Sequence, residues 1–197
     1  MIELIVIVII VSLVFSDRLK GIWGEIRFKL KIKIWFNDYY KLLSNTYYKT
    51  SYGTTQVDHI LISPKGIFVI EVKNLGESFL SGYEKQKVWT LEYSETGAKF
   101  DMKNPLHQNY GHLKTIEGIV GNSNNIESLV IFSNTVEFDN KMLKNVINEE
   151  GFRAYYMSLN DNFLDEDAIN KYYDMINKGK ENSPFIGIKH YLLQRFR

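Results

Sequence analysis

Two apolar, β-branched runs lie within Thr54 to Asn74, parted by the turn signal Ser63-Pro64-Lys65-Gly66, and together they predict a β-hairpin. If Ile62 pairs with Ile67, Asp58 lands opposite Glu71. Side chains alternate along a strand, so Glu71 and Lys73 share one face while Val72 points away. Upstream, Ile67 and Val69 on one face and Phe68 and Ile70 on the other are apolar, as in a central strand covered on both sides. Elsewhere, Ile22, Ile26, Leu30 and Ile34 recur at helical spacing, against a competing alternation of Lys29, Lys31 and Lys33 with apolar neighbours; we read a helix over residues 20–36. Leu42 to Tyr48 and Val88 to Tyr93 read as strands, with Asn74 to Lys87 a polar connection and Glu95-Thr96-Gly97 a turn. Asn104-Pro105 opens a helix, lined by Leu106, Tyr110, Leu113, Ile116 and Val120 and ended by Gly121. Ser128 to Phe132 is a buried strand. Lys141 to Glu150 reads as an amphipathic helix through Met142, Leu143, Val146 and Ile147, stopped by Gly151, and Arg153 to Met157 as a strand. Asp165 to Lys178 is a final helix with Ile169, Tyr172, Tyr173 and Ile176 inward. This order predicts an α/β fold, a mixed central sheet flanked by helices.

The amino terminus differs in kind. Leu4 to Phe15 is an unbroken Ile/Val/Leu/Phe run apart from Ser12. A bilayer crossing takes about 20 apolar residues, so the run reaches marginal length only when extended through Met1 and Leu19. A buried core segment is the plain alternative, yet the remainder supplies a full α/β pattern without it. A basic start and a small-residue cleavage site, the marks of a secretory signal, are both missing. The expectation is an amino-terminal anchor helix over residues 1–19, a main domain over 20–160 and a helical extension over 161–197. Arg18, Lys20, Arg27 and Lys29 follow the run, and the positive-inside bias then places the domain in the cytoplasm.

The chain has 197 residues, 24 basic and 23 acidic, for a net charge of +1, so contact with a polyanion must come from a local patch. Without cysteine, disulfides and thiolate zinc sites are excluded. His59 alternates to the face opposite Asp58 and reads as a packed side chain, while His107 and His112 are separated around their helix, so no histidine zinc site follows. The tyrosine pairs, Tyr47-Tyr48 and Tyr155-Tyr156 among them, read as core and strand pairing. Asp58, Glu71 and Lys73 remain: two acids and a base ending one sheet face. Their bland explanation is a cross-strand ion pair at a solvated sheet end. Their sharper one is a metal-dependent phosphodiester-cleaving centre, since charges ending an apolar strand need a metal, a partner or water to offset desolvation.

Four words in order sharpen that choice. Gly21-Ile22-Trp23-Gly24-Glu25, Thr54-Thr55-Gln56-Val57-Asp58-His59, Gly66-Ile67-Phe68-Val69-Ile70-Glu71-Val72-Lys73-Asn74 and Asn104-Pro105-Leu106-His107-Gln108-Asn109 together resemble the nuclease-related domain family of the PD-(D/E)xK nuclease superfamily, over about Gly21 to Phe132. The resemblance implies a restriction-endonuclease-like fold. It also implies Mg²⁺ or Mn²⁺ held by Asp58, Glu71 and the backbone carbonyl of Val72. Lys73 would orient the attacking water or stabilise phosphoryl charge, Glu25 would complete the acidic cluster, and Gln108 would bond Lys73 or a phosphate. The implied partner is nucleic acid, DNA in preference to RNA. The rival reading is a catalytically silent module that binds nucleic acid or protein at the membrane.

Overall fold

The computed structural model describes residues 21–36, 39–51, 53–121, 125–138 and 143–182. The expected anchor over residues 1–19 lies outside them, and among the described residues no helix is long and apolar enough to cross a membrane. Residues 21–35 form a helix, α1, so the helical spacing prevails over the lysine alternation. Its inward face is Phe28 and Ile32, whereas the ridge that announces it, Ile22, Ile26, Leu30 and Ile34, stays exposed.

Strands β1 (Lys41–Thr50), β2 (Gly53–Ser63) and β3 (Gly66–Lys73) form an antiparallel meander, with Ile62 facing Ile67 as the turn chemistry predicts. Gly66 closes that turn at a φ of 129°, and a side chain there would strike the Asn125 carbonyl. Strand β7 (Ile126–Phe132) lies parallel to β3, and β9 (Val146–Asn148) parallel to β7, giving a five-stranded mixed sheet in the order β1-β2-β3-β7-β9. One of its faces packs Val57, Ile60, Ile62, Ile67 and Val69 against helices α2 (Pro105–Val120) and α4 (Glu166–Lys178). The other packs Leu61, Phe68, Ile70 and Ile131 against α1 and α3 (Glu149–Ser158). Helix α4, in the expected extension, contributes Ile169 and Ile176 to the first of these layers.

A second mixed sheet joins the first. Strands β4 (Ser78–Ser81), β5 (Val88–Tyr93), β6 (Lys99–Lys103) and β8 (Val136–Phe138) run in the order β6-β5-β4-β8, and Leu80, Trp89 and Leu91 cover Val130 and Phe132 of β7. Only β5 is expected from the sequence. Strand β4 arises inside the stretch read as a polar connection, because it is finished by partners on both sides, β5 and β8. The molecule is therefore a mixed α/β protein with two mixed sheets and, among the described residues, four helices.

Two further expectations are corrected. Lys141 and Met142 lie outside the described residues, but Val146 to Asn148 extends the main sheet rather than continuing a helix. Asn148 then caps α3 by accepting from the Gly151 amide at 2.7 Å, so Gly151 sits within the first turn instead of stopping a helix. Arg153 to Met157 is consequently helical, and the buried pair Phe152 and Tyr156 shows the four-residue spacing that settles it. In α2 the cap at Asn104 and the stop at Gly121 are as expected, but the buried face is Pro105, Asn109, His112, Ile116 and Val120, while Tyr110 is 57% exposed. Asn109 can face the core because its amide donates to the carbonyls of Val69 and Leu129 and to Ser128 Oγ, all within 2.9 Å.

Candidate active site

The site forms where the β2–β3 ladder stops. Regular pairing ends at His59 with Ile70, and on the β1 side the pair that would engage Asp58 is interrupted by Asn45, held at a φ of 54°. Asparagine tolerates that left-handed conformation. Freed from both ladders, Asp58 turns its carboxylate onto the next strand, and Oδ2 accepts the Val72 amide at 2.9 Å. The predicted juxtaposition of Asp58 with Glu71 is thus real in space, but a side chain completes it, not a backbone pair.

Glu71, only 3% exposed, is the hub. Its Oε1 accepts from Lys73 Nζ at 2.6 Å and from Gln108 Nε2 at 2.7 Å, and Lys73 Nζ also donates to Gln108 Oε1 at 3.2 Å. Gln108 therefore holds both ends of the Glu71–Lys73 pair, a role its place in the first turn of α2 allows. Oε2 of Glu71 makes no hydrogen bond, and His112 Nδ1 stands 3.5 Å from it. The sequence reading gives His112 no role at the site. The available signal was its position one helical turn beyond Gln108 on the same side of α2.

Glu25 arrives from α1, on the other side of the sheet. Gly24 makes this possible: a Cβ there would collide with Asn74 Cβ and stand 2.8 Å from its Cγ, so the missing side chain lets α1 lie against the residue that follows Lys73. Burial, then the negative charge of Glu71, pushes the Glu25 carboxyl up from 4.5 to about 7. Asp58 is also raised well above the usual carboxylate range, first by burial, then by Glu71 and Glu25, against the opposing pull of the Val72 amide and Lys73. His59 points to the opposite face, as alternation requires. It is buried against Phe28 and bonded to Ser44 Oγ, and burial and the charge of Lys29 lower its pKa to about 4.

Among the described residues no three His, Asp or Glu side chains gather tightly enough to hold a metal ion between them. The donor set at hand is the pair Asp58 and Glu71, with a buried Glu71 oxygen that lacks a hydrogen bond. That suits a hard cation of the kind that takes one or two carboxylates and keeps several waters for itself and a phosphate. The site opens into a cleft of about 1210 Å³ whose wall includes Asp58, Lys73, Gln108 and His112, and also Lys87 and Lys103. A chain of nearly balanced charge thereby gathers Lys73, Lys87, Lys103 and Lys114 around one acid, Asp58, in this cleft.

A mixed α/β body in which paired carboxylates, a lysine and a glutamine meet at the end of a central hairpin defines the class. The model of the nuclease-related domain matches residues 20–133, more than half of the chain, and the protein belongs to that family. The match takes in α1, β1 to β7 and α2, and hence every side chain of the site. An uncharacterized protein of Bacillus anthracis is 39% identical over 125 residues, which cover 60% of this chain and 57% of that relative's length. No solved structure matches the chain.

Proposed function

We propose that this protein is a Mg²⁺- or Mn²⁺-dependent nuclease of restriction-endonuclease-like fold that hydrolyses phosphodiester bonds of DNA, with RNA the alternative substrate. The observation that carries the reading is the meeting of two carboxylates, Asp58 on the Val72 amide and Glu71 held by Lys73 and Gln108, at the end of the β2–β3 ladder. Folding alone gains nothing from raising two carboxyl groups in this way, whereas a divalent cation offsets the mutual repulsion. A bound cation would supply Lewis acidity to the phosphate and a more acidic water. Asp58 and Glu71 offer the oxygens that hold it, with the Val72 carbonyl as a further donor. Lys73, fixed by Glu71 and Gln108, orients the attacking water or stabilises the charge that gathers on phosphoryl oxygen as the P–O bond to the leaving oxygen breaks. Glu25, poised near neutrality, is matched to proton exchange at physiological pH. Lys87 and Lys103 give the cleft attraction for a polyanionic strand. The apolar run before α1 supports a membrane tether over residues 1–19 with the domain on the cytoplasmic side, which carbonate extraction checks: a protein released from membranes by carbonate has no such anchor.

The decisive experiment incubates the full chain in detergent with single- and double-stranded DNA and RNA, with Mg²⁺, with Mn²⁺ and with chelator. Cutting depends on the cation, and Asp58→Ala, Glu71→Ala and Lys73→Ala each lower the rate by roughly 10²-fold or more while circular dichroism stays native. Glu25→Ala and Gln108→Ala give partial losses. Wild-type rates in all three of the first variants would overturn the reading, and binding without cutting would favour the silent module.

A further inference from the structure

Helix α1 carries two apolar faces, and the domain uses one. Phe28 and Ile32 pack against the main sheet. On the far side Ile22, Ile26, Leu30 and Ile34 repeat at every fourth position with Trp23 beside them, and Trp23 is 67% and Ile34 77% exposed. At 3.6 residues per turn these five occupy about a third of the helix circumference, opposite the buried side. Lys29 borders that arc on one edge and Arg27 and Lys31, both paired with Glu149, on the other, while Lys33 falls within it. A continuous ridge of large apolar side chains left in water marks a contact surface.

Charge and chain position select the occupant. Between Gly21 and Trp35 the sole acid is Glu25, which turns towards the active site, so the outward face is apolar with cationic borders. A second copy seated on it by a two-fold axis would bring the Lys29 and Lys33 sides of the two copies together, since Glu149 offsets only Arg27 and Lys31. An anionic lipid surface offers both a boundary layer for the ridge and phosphates for the borders. The sequence immediately before α1 is the apolar run Leu4 to Phe15, followed by Arg18 and Lys20, so the helix begins where a membrane-directed segment ends. We propose that the outward face of α1 is a membrane-docking surface: the folded domain rests on an anionic bilayer with Trp23, Leu30 and Ile34 in the headgroup–acyl boundary. The docking stands apart from catalysis, and it would hold whether or not the cleft cuts nucleic acid.

The absence of cysteine allows a clean test. Leu30→Cys, Ile34→Cys and, as an aqueous control in the β5–β6 turn, Glu95→Cys are each made in the full chain and spin-labelled. Collision with oxygen is then compared with collision with a water-soluble nickel chelate, in vesicles of phosphatidylcholine with and without phosphatidylglycerol. The expected result is a several-fold rise in the oxygen-to-nickel ratio at positions 30 and 34 with the anionic vesicles, no rise at 95, and a smaller rise when Lys29→Glu and Lys33→Glu are combined. The proposal is overturned if positions 30 and 34 stay as aqueous as 95 in vesicle-bound protein, since residues 1–20 alone would then hold the membrane. Lack of vesicle binding overturns it too. So does shielding of both labels before lipid is added, with spin–spin broadening pointing to a second copy and its absence to another segment of this chain.

Discussion

The Lys73 ammonium and the Gln108 amide meet on one oxygen of Glu71, and the charge left on that carboxylate is felt by Asp58 and by Glu25. For Glu25, burial and then the charge of Glu71 set the direction of its titration. Its carboxyl is easier to protonate in the fold than in the open chain, so the stability that depends on its neutral form is fully present below about pH 4.5 and is lost as the pH rises through about 7. Asp58 acts in the same direction and buried His59 in the opposite one, so the useful quantity is the difference between wild type and Glu25→Gln. Thermal unfolding of that variant between about pH 5 and 8 should gain stability over wild type progressively as the pH rises, and added Mg²⁺ should narrow the gap. Parallel curves across that range would remove Glu25 from the cluster. At this scale Asp58, Glu71 and Lys73 were legible, because strand alternation and one turn place them. His112 was not: its meaning depends on facing a carboxylate that another element supplies.

Helix α1 delivers Glu25 only because Gly24 leaves room for Asn74. Gly24→Ala should displace the helix, destabilise the protein by about 1–3 kcal/mol, as overpacking does, and slow cleavage. Asn74→Gly in the same chain removes the obstructing Cβ and should restore part of both, as followed by urea unfolding and by rate; a double variant no better than the single one would refute the contact. Helix α2 depends on a different device. Asn109 fastens it to β3 and β7 through three acceptors, so Asn109→Ala loses those bonds in a buried setting, at a cost of about 2–3 kcal/mol in chemical denaturation. A change below about 0.5 kcal/mol would show those bonds to be dispensable. The sequence placed α2 correctly from its cap and its stop, yet turned it wrongly, counting Tyr110 inward and leaving Asn109 out of the apolar line. Hydrophobicity is a guide to burial only where no polar partner waits, and Asn109 meets carbonyls whose positions the sheet alone defines. The same limit hid the orientation of α1, where two apolar faces compete and the sheet takes the aromatic one.

Across the whole molecule, the layer between the main sheet and helices α1 and α3 is built from interlocking rings: Phe152 stands 5.5 Å from Phe28, 5.9 Å from Phe36 and 6.5 Å from Phe68, centroid to centroid. Phe152→Ala should cost about 3–5 kcal/mol in urea denaturation. Because that layer carries α1, it should also reduce cutting at temperatures where the protein remains folded, and a stability loss under about 1 kcal/mol would place Phe152 outside the core. Strand β9 and helix α3, read in the sequence as a helix and then a strand, show what short runs withhold. Val146 to Asn148 has no period long enough to declare itself and becomes a strand when β7 offers an edge. Strand β4 is made in the same way, by β5 and β8. By itself the sequence determined the central hairpin, its register and the two acids and lysine at its end, because these follow from alternation and a turn within about twenty residues of chain. Family resemblance in the sequence also named Glu25 and Gln108, but only the tertiary structure decided that His112 joins Glu71 and which faces of α1 and α2 are covered, because burial is a property of what packs against a surface, and that partner lies far away along the chain.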